Sequence, residues 1–154
     1  MITLIPMTEA EFETYLEKNV PRYAAENVRA GYWSEEEALE RSREAYQNLL
    51  PQGLHTENNY LFIIQVKDNG ERIGVLWLKH ESPRKHGFVF DIALDENQRG
   101  KGYGKQAMLA LEEFAKGLGL ETIGLHVYAH NTVAMKLYAG LSYEVTSQNM
   151  VKRL

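Results

Sequence analysis

The sequence predicts an α+β domain, one domain over residues 1–154, built on a mixed, mostly antiparallel central sheet with about four helices. Three observations carry this. Two apolar runs, Tyr60 to Lys67 and Arg72 to Lys79, are joined by Asp68-Asn69-Gly70, which reads as a hairpin. A third run, Phe88 to Leu94, follows Ser82-Pro83 and extends the hairpin into a meander. The chain from Phe88 to Tyr128 then reads strand, glycine loop, amphipathic helix, strand, and such a unit must lay its two strands parallel.

Taken in order, Thr8-x-x-Glu11 is a capping box that opens a helix over about residues 8 to 29. Ser34-Glu35-Glu36-Glu37 opens a second helix that runs to about Leu50, where Pro51-Gln52-Gly53 ends it. After the meander, Ala107, Leu111, Phe114 and Leu118 recur at helical spacing from Tyr103 to Leu118, and Gly119 stops them. Thr122 to Tyr128 is a strand, and Thr132 to Leu141 a short helix.

A chain of 154 residues can bury about two-thirds of its unfolded surface, so no second domain is required. It contains no run of roughly 18 apolar residues, and Met1-Ile2-Thr3-Leu4 lacks the charged region and apolar core of a signal peptide. No membrane association and a cytoplasmic location are expected. With no cysteine there is no disulfide, thiol nucleophile or thiolate metal site. The formal charge of -4 and the dispersed cations argue against a nucleic-acid partner. The oligomeric state is left open, and a homodimer is compatible with everything above.

The densest positive cluster, Arg99, Lys101 and Lys105, lies on Gln98-Arg99-Gly100-Lys101-Gly102-Tyr103-Gly104-Lys105. Glycine permits positive φ and close approach, and the first amides of a following helix are free donors at the positive end of its dipole. The loop is therefore a candidate holder of a diphosphate. A nucleotide P-loop requires a glycine at position 99 and a hydroxyl at 106, where this chain has Arg99 and Gln106. The dinucleotide fingerprint requires Gly-x-Gly-x-x-Gly, and here the spacing is Gly-x-Gly-x-Gly with no second βαβ unit behind it.

Arg99-x-x-Gly102-x-Gly104 resembles the acetyl-coenzyme A loop of the GNAT superfamily of N-acetyltransferases. His126-Val127-Tyr128-Ala129-His130-Asn131, followed by Ala134 and Leu137-Tyr138, is similar to the strand, asparagine and tyrosine-bearing helix that complete that family's site. The resemblance runs from about Gly87 to Tyr143, and includes the ribosomal-protein alanine acetyltransferase subgroup. It implies the GNAT-like acyl-CoA N-acyltransferase fold and direct transfer of an acetyl group from acetyl-CoA to a primary amine of a small molecule or peptide. No covalent acetyl-enzyme and no metal are expected.

The resemblance also implies site residues. Backbone amides of Ile92, Ala93 and Leu94 would meet the pantetheine arm and acetyl oxygen in a gap between two splayed strands, and Gly100, Lys101, Gly102, Tyr103, Gly104 and Lys105 would hold the diphosphate. Asn131 would reach a pantetheine amide, although an asparagine before a helix is also an ordinary N-cap. Tyr138 would protonate the leaving thiolate, where a tyrosine between Leu137 and Ala139 could equally be core packing. The family's usual glycine-aromatic pair is replaced here by Ser142-Tyr143, which leaves that turn in question.

The general base is less determined. A lysine amine with pKa about 10.4 pays about 4.6 kcal/mol to be neutral at pH 7, and an α-amine near 7.7 only about 1 kcal/mol. On a strand, His126 would share a face with Thr122, Gly124 and Tyr128, away from Ile123, Leu125 and Val127. His126 stands where the alanine acetyltransferases have a glutamate, so it is a candidate base or a plain half-buried polar residue. Asp91 is a rival base or an anchor for a cationic substrate, unless it is a strand carboxylate facing solvent. Tyr23, Glu26, Tyr32, Trp33 and Trp77 are possible walls of the acceptor cleft, or packing of the first two helices. A non-catalytic acyl-CoA-binding sensor module is the alternative: it would keep the loop and lose turnover.

Overall fold

Ile2–Pro6 forms an edge strand, β1, an addition to the elements expected from sequence. The computed structural model describes all 154 residues, Met1 to Leu154. β1 pairs antiparallel with β2 (Asn59–Val66), which continues through β3 (Arg72–His80) to β4 (His86–Leu94), each pairing antiparallel. β5 (Thr122–Leu125) lies parallel to β4, so the order is β1-β2-β3-β4-β5 and the sheet is mixed but mostly antiparallel, as the βαβ pattern requires.

The four helices are α1 (Glu9–Arg29), α2 (Glu35–Leu49), α3 (Tyr103–Gly117) and α4 (Thr132–Gly140). Both capping boxes form: Thr8 Oγ1 accepts from the Glu11 amide at 3.2 Å while Glu11 accepts from the Thr8 amide at 3.0 Å, and Ser34 and Glu37 repeat the exchange. Strand alternation divides the interior in two. Phe62, Ile64 and Leu76 pack under α3 with Met108 and Leu111, whereas Leu61, Ile63 and Trp77 pack under α1 with Phe12 and Tyr15. The Ser42 hydroxyl donates to the Val20 carbonyl at 2.7 Å and so ties α2 to α1.

One irregularity positions the site. Trp77 pairs with Asp91 and Leu78 with Val89, so Phe90 is an extra residue in β4. A bulge of this kind turns two successive side chains to the same side. Phe90 stacks on Trp77 at 4.7 Å between centroids, and Asp91 reaches Tyr15 and Arg22 of α1. β5 pairs with β4 only from His86↔Thr122 to Val89↔Leu125, while β3 stays paired as far as Leu94. The strand expected to reach Tyr128 therefore ends at Leu125, because past the bulge β4 no longer offers a regular edge. Beyond Val89 the outer edge of β4 has no strand paired to it, and this is the place where the resemblance puts the gap.

Gly74 of β3 is where the end of β4 is pinned. A Cβ on Gly74 would run into the Ala93 carbonyl oxygen and lie 3.1 Å from Leu94 Cα. Gly74→Ala is expected to lower the free energy of unfolding by about 1–3 kcal/mol, the usual cost of overpacking. Urea denaturation checks this, and an unchanged midpoint would show that the close approach is not needed.

Candidate active site

The glycine loop enters α3 through Gly100 at φ +76° and Gly102 at φ +82°, left-handed positions that favour glycine. Gly102 is the N-cap, and no side chain caps the helix. The first inward bond is from the Gln106 amide to the Gly102 carbonyl, 3.2 Å, so six successive amides, Gly100 to Lys105, have no partner in the chain. A Cβ at Gly100 or Gly102 would meet only open space, which leaves the face clear for a ligand. The loop's shape is fixed from behind. Arg99 Nε donates to the Leu94 carbonyl at 3.2 Å, and Lys101 donates to Gln98, whose buried amide in turn donates to Glu71.

Past Val89, β4 presents an edge that β5 does not cover. The Asp95 amide donates to the Ile73 carbonyl on β3, and alternation then turns the Ala93 amide toward β3 and those of Ile92 and Leu94 toward the gap. Leu94 meets α4 at the loop: a Cβ on Gly104 would lie 3.3 Å from Leu137 and 3.8 Å from Leu94. The loop, the end of β4 and α4 thus converge on one place.

Tyr138 is buried on α4, and its ring stands edge-on to Tyr143 at 5.9 Å. Burial, and secondarily the charge of Asp91, push its phenol up to about 12, so it stays protonated at neutral pH. Its hydroxyl bonds to no group of the chain. Asn131 does cap α4, accepting from the Ala134 amide at 3.4 Å, and its Nδ2 is uncommitted. His126 lies one residue past the end of β5, exposed, so the alternation that assigned it a face does not apply. Its ring packs edge-on to Tyr128 at 5.0 Å, and Tyr128 stacks on His130 at 5.4 Å. No hydrogen bond or ion pair joins His126 to Asp91 or Tyr138.

Asp91 is not a solvent-facing carboxylate. The Tyr15 hydroxyl donates to Oδ2 at 2.8 Å, and one Arg22 nitrogen donates to both oxygens at 2.8 Å. Burial raises its pKa while Arg22 pulls it back, and the same burial, reinforced by Asp91, raises Tyr15 well above the ordinary phenol. A cleft of about 550 Å³ opens beside this cluster, between α1 (Tyr15, Asn19, Arg22) and the strand ends at Gly74 and Leu94. Tyr15 and Arg22 are site neighbours that sequence reasoning missed, since nothing local in α1 distinguishes them from other helix-face residues.

Farther along α1, Tyr23 meets Trp33 at 5.4 Å, and beyond the helix's C-terminus Tyr32 meets Tyr128 at 6.4 Å. Glu26 forms no ion pair and lies close enough to Tyr128 to help raise its phenol, after burial and Tyr23, to about 12. Trp77 belongs instead to the core under α1, its indole donating to Asn59 at 2.8 Å. No cluster of three or more His, Asp or Glu side chains is placed to hold a metal ion, and no helix is long and apolar enough to cross a membrane.

Comparison with known proteins agrees with this geometry. The model of the acetyltransferase (GNAT) family matches residues 22–143. The chain is 42% identical to the uncharacterized N-acetyltransferase YdgE of Bacillus subtilis, over 99% of this chain and 98% of that protein. The crystal structure of the putative acetyltransferase YycN from Bacillus subtilis superposes with a TM-score of 0.94 at 38% identity, covering 100% of this chain and 99% of that one. The PaiA N-acetyltransferase of Thermoplasma acidophilum, solved with coenzyme A, shares the fold at a TM-score of 0.70 and 22% identity, covering 97% and 93%.

The buried phenols set a pH dependence. Unfolded tyrosines ionise near pH 10, whereas Tyr138 and Tyr128 hold their protons to about 12. Above pH 10 the folded chain therefore binds more protons than the unfolded one, and stability falls as pH rises toward 12. Denaturation midpoints measured from pH 9 to 12 are expected to fall more gently for Tyr138→Phe than for the parent. Equal slopes would mean that Tyr138 ionises normally.

Proposed function

The chain belongs to the GNAT family of acetyltransferases, and from that premise we propose that it transfers the acetyl group of acetyl-CoA directly to a primary amine. The observation that carries this reading is the run of six unpartnered amides from Gly100 to Lys105 at the positive end of α3. Hydrogen bonds to a charged acceptor contribute about 1.5–3 kcal/mol each, so a few of them would hold a diphosphate without a metal. Lys105 adds a cation that no acid of the chain neutralises.

With the diphosphate at the loop, the gap beside Ile92 and Leu94 is the natural course for the pantetheine arm, and Asn131 Nδ2 would be a donor along it. The amine nitrogen attacks the thioester carbon, its lone pair forming the new C–N bond. The carbonyl oxygen takes the negative charge and is met by the Leu94 amide. The C–S bond then breaks, with the thiolate accepting a hydrogen bond from Tyr138. The proton released by the amine passes to water or to His126, whose exposure suits exchange with solvent. Asp91 acts from behind: already held by Arg22 and Tyr15, it is better placed to order the floor of the site than to grip a substrate cation.

The acceptor is read as a cationic amine before it loses its proton. Glu26 supplies an unpaired carboxylate among Tyr23, Tyr32 and Tyr128, and aromatic faces attract ammonium groups. Glu26→Gln is expected to raise KM for amines that carry a second positive charge several-fold and to leave neutral-tailed amines unchanged. An equal effect on both kinds would remove Glu26 from recognition.

Thiol release from acetyl-CoA across a panel of amines tests the activity itself. Tyr138→Phe should lower kcat about 10- to 150-fold, the loss of one hydrogen bond to a charged atom, with KM for acetyl-CoA nearly constant. Gly102→Val should abolish coenzyme A binding in calorimetry while leaving far-UV dichroism intact. Coenzyme A binding without turnover for any amine would favour the sensor module, and no binding at all would sink both readings.

A further inference from the structure

We propose that the cleft beneath α1 is a binding site for a free amino acid with an aliphatic side chain, separate from the slot assigned to acetyl-CoA. At about 550 Å³ it has the size of a small-molecule site. Its floor is one row across three strands. Ile63 of β2 pairs with Val75 of β3, and Val75 with Ala93 of β4, so all three turn to the α1 side. Gly74, next to them, adds no side chain to fill the space. The slot lies elsewhere, along the outer edge of β4 that β5 leaves uncovered.

One atom marks the inner part of the cleft. Asn19 of α1 is 2% exposed and lines it; its Nδ2 donates to the Tyr15 carbonyl at 2.7 Å, but its Oδ1 accepts from no group. It is the one buried side-chain oxygen or nitrogen of the chain without a partner. An acceptor in that state carries a standing cost, which a ligand N–H that reaches it removes. The acetyl-transfer reading makes no use of it.

The mouth supplies the other half of the recognition. Arg72 and Arg22 are held by Glu11 and Asp91, which leaves Lys18 and Arg99 with Asp95 and Glu96 at the end of β4. Lys18 reaches Asp95 only at 3.9 Å, and Arg99, tied by Nε to the Leu94 carbonyl, has no ion pair, so both cations keep donors for a carboxylate. Two cations and two acids suit a ligand that carries both signs and no net charge. Because Lys18 and Asn19 are consecutive, the groups they meet must lie close together in the ligand, as in an α-amino acid. Its carboxylate then faces Lys18 and Arg99, its ammonium donates to Asn19 Oδ1, and its side chain rests on the row from Ile63 to Ala93.

Calorimetry on the chain without coenzyme A tests this independently of the acetyl-transfer reading. L-leucine should bind. Three relatives of it should each bind at least about tenfold more weakly: 4-methylpentanoate, which lacks the ammonium, leucinamide, which lacks the carboxylate, and L-aspartate, which sets a charge on the apolar floor. Lys18→Gln, at a position 69% exposed, should weaken leucine several-fold, and Asn19→Leu should abolish binding with the far-UV dichroism intact. Should Asn19→Leu fail to fold, the Lys18 variant and the ligand series still decide. Equal affinity for all four compounds, or no heat with leucine at millimolar concentration, would overturn the proposal. So would thiol release from acetyl-CoA with leucine as the only amine, because leucine would then belong to the slot.

Discussion

The extra residue in β4 is the constraint on which the site depends. With Phe90 inserted, β4 can no longer match β5, and their pairing stops at Val89 and Leu125. Three consequences come from that single residue. The far edge of β4 keeps amides at Ile92 and Leu94 that no strand satisfies. Asp91 turns inward under α1 rather than outward. The glycine loop that follows β4 is carried to the mouth of the opening, where Arg99 ties it to the Leu94 carbonyl. A register change in a ladder is thus converted into a slot with donors along one wall and a cluster of amides at its end.

A buried carboxylate beside such a slot is costly unless it is paired, and Arg22 and Tyr15 supply the pairing. Its charge is felt beyond those partners. Asp91 helps to raise Tyr15, Tyr46 and Tyr138, so three phenols on three helices are kept neutral by burial plus one anion. Under the acetyl-transfer reading this matters for Tyr138. It must arrive with its proton, and the fold provides for that in a way independent of the substrate.

Much of this was legible in the residues. Both capping boxes located their helices because the signal and the structure are the same hydrogen bonds, three residues apart. The glycine loop was legible because positive φ and close approach leave few residue choices at Gly100 and Gly102. What escaped were features with no local signature. β1 is five residues long and ends at Pro6, too short for a period to register. Tyr15 and Arg22 lie 76 and 69 residues from Asp91, and only the bulge brings them together. Apolar alternation made β5 too long, since it continues to Val127, whereas pairing depends on what β4 can offer. His126 lost its assigned face for the same reason.

The value near 12 for Tyr138 also limits what the residue can do. A thiol has an ordinary pKa of about 8.5, so moving a proton from this phenol to a free thiolate would be uphill by about 3.5 units, close to 5 kcal/mol. Under the acetyl-transfer reading, full protonation of the leaving group by Tyr138 is therefore a poor account, even though its hydroxyl hydrogen is spent on no group of the chain. A hydrogen bond costs nothing of the kind and is strongest when charge has gathered on sulfur. The proton that finally rests on the thiol is then better drawn from the amine, through water or His126. On this view burial makes Tyr138 a dependable donor by making it a weak acid, and the chemistry of proton removal is left to the exposed side of the site.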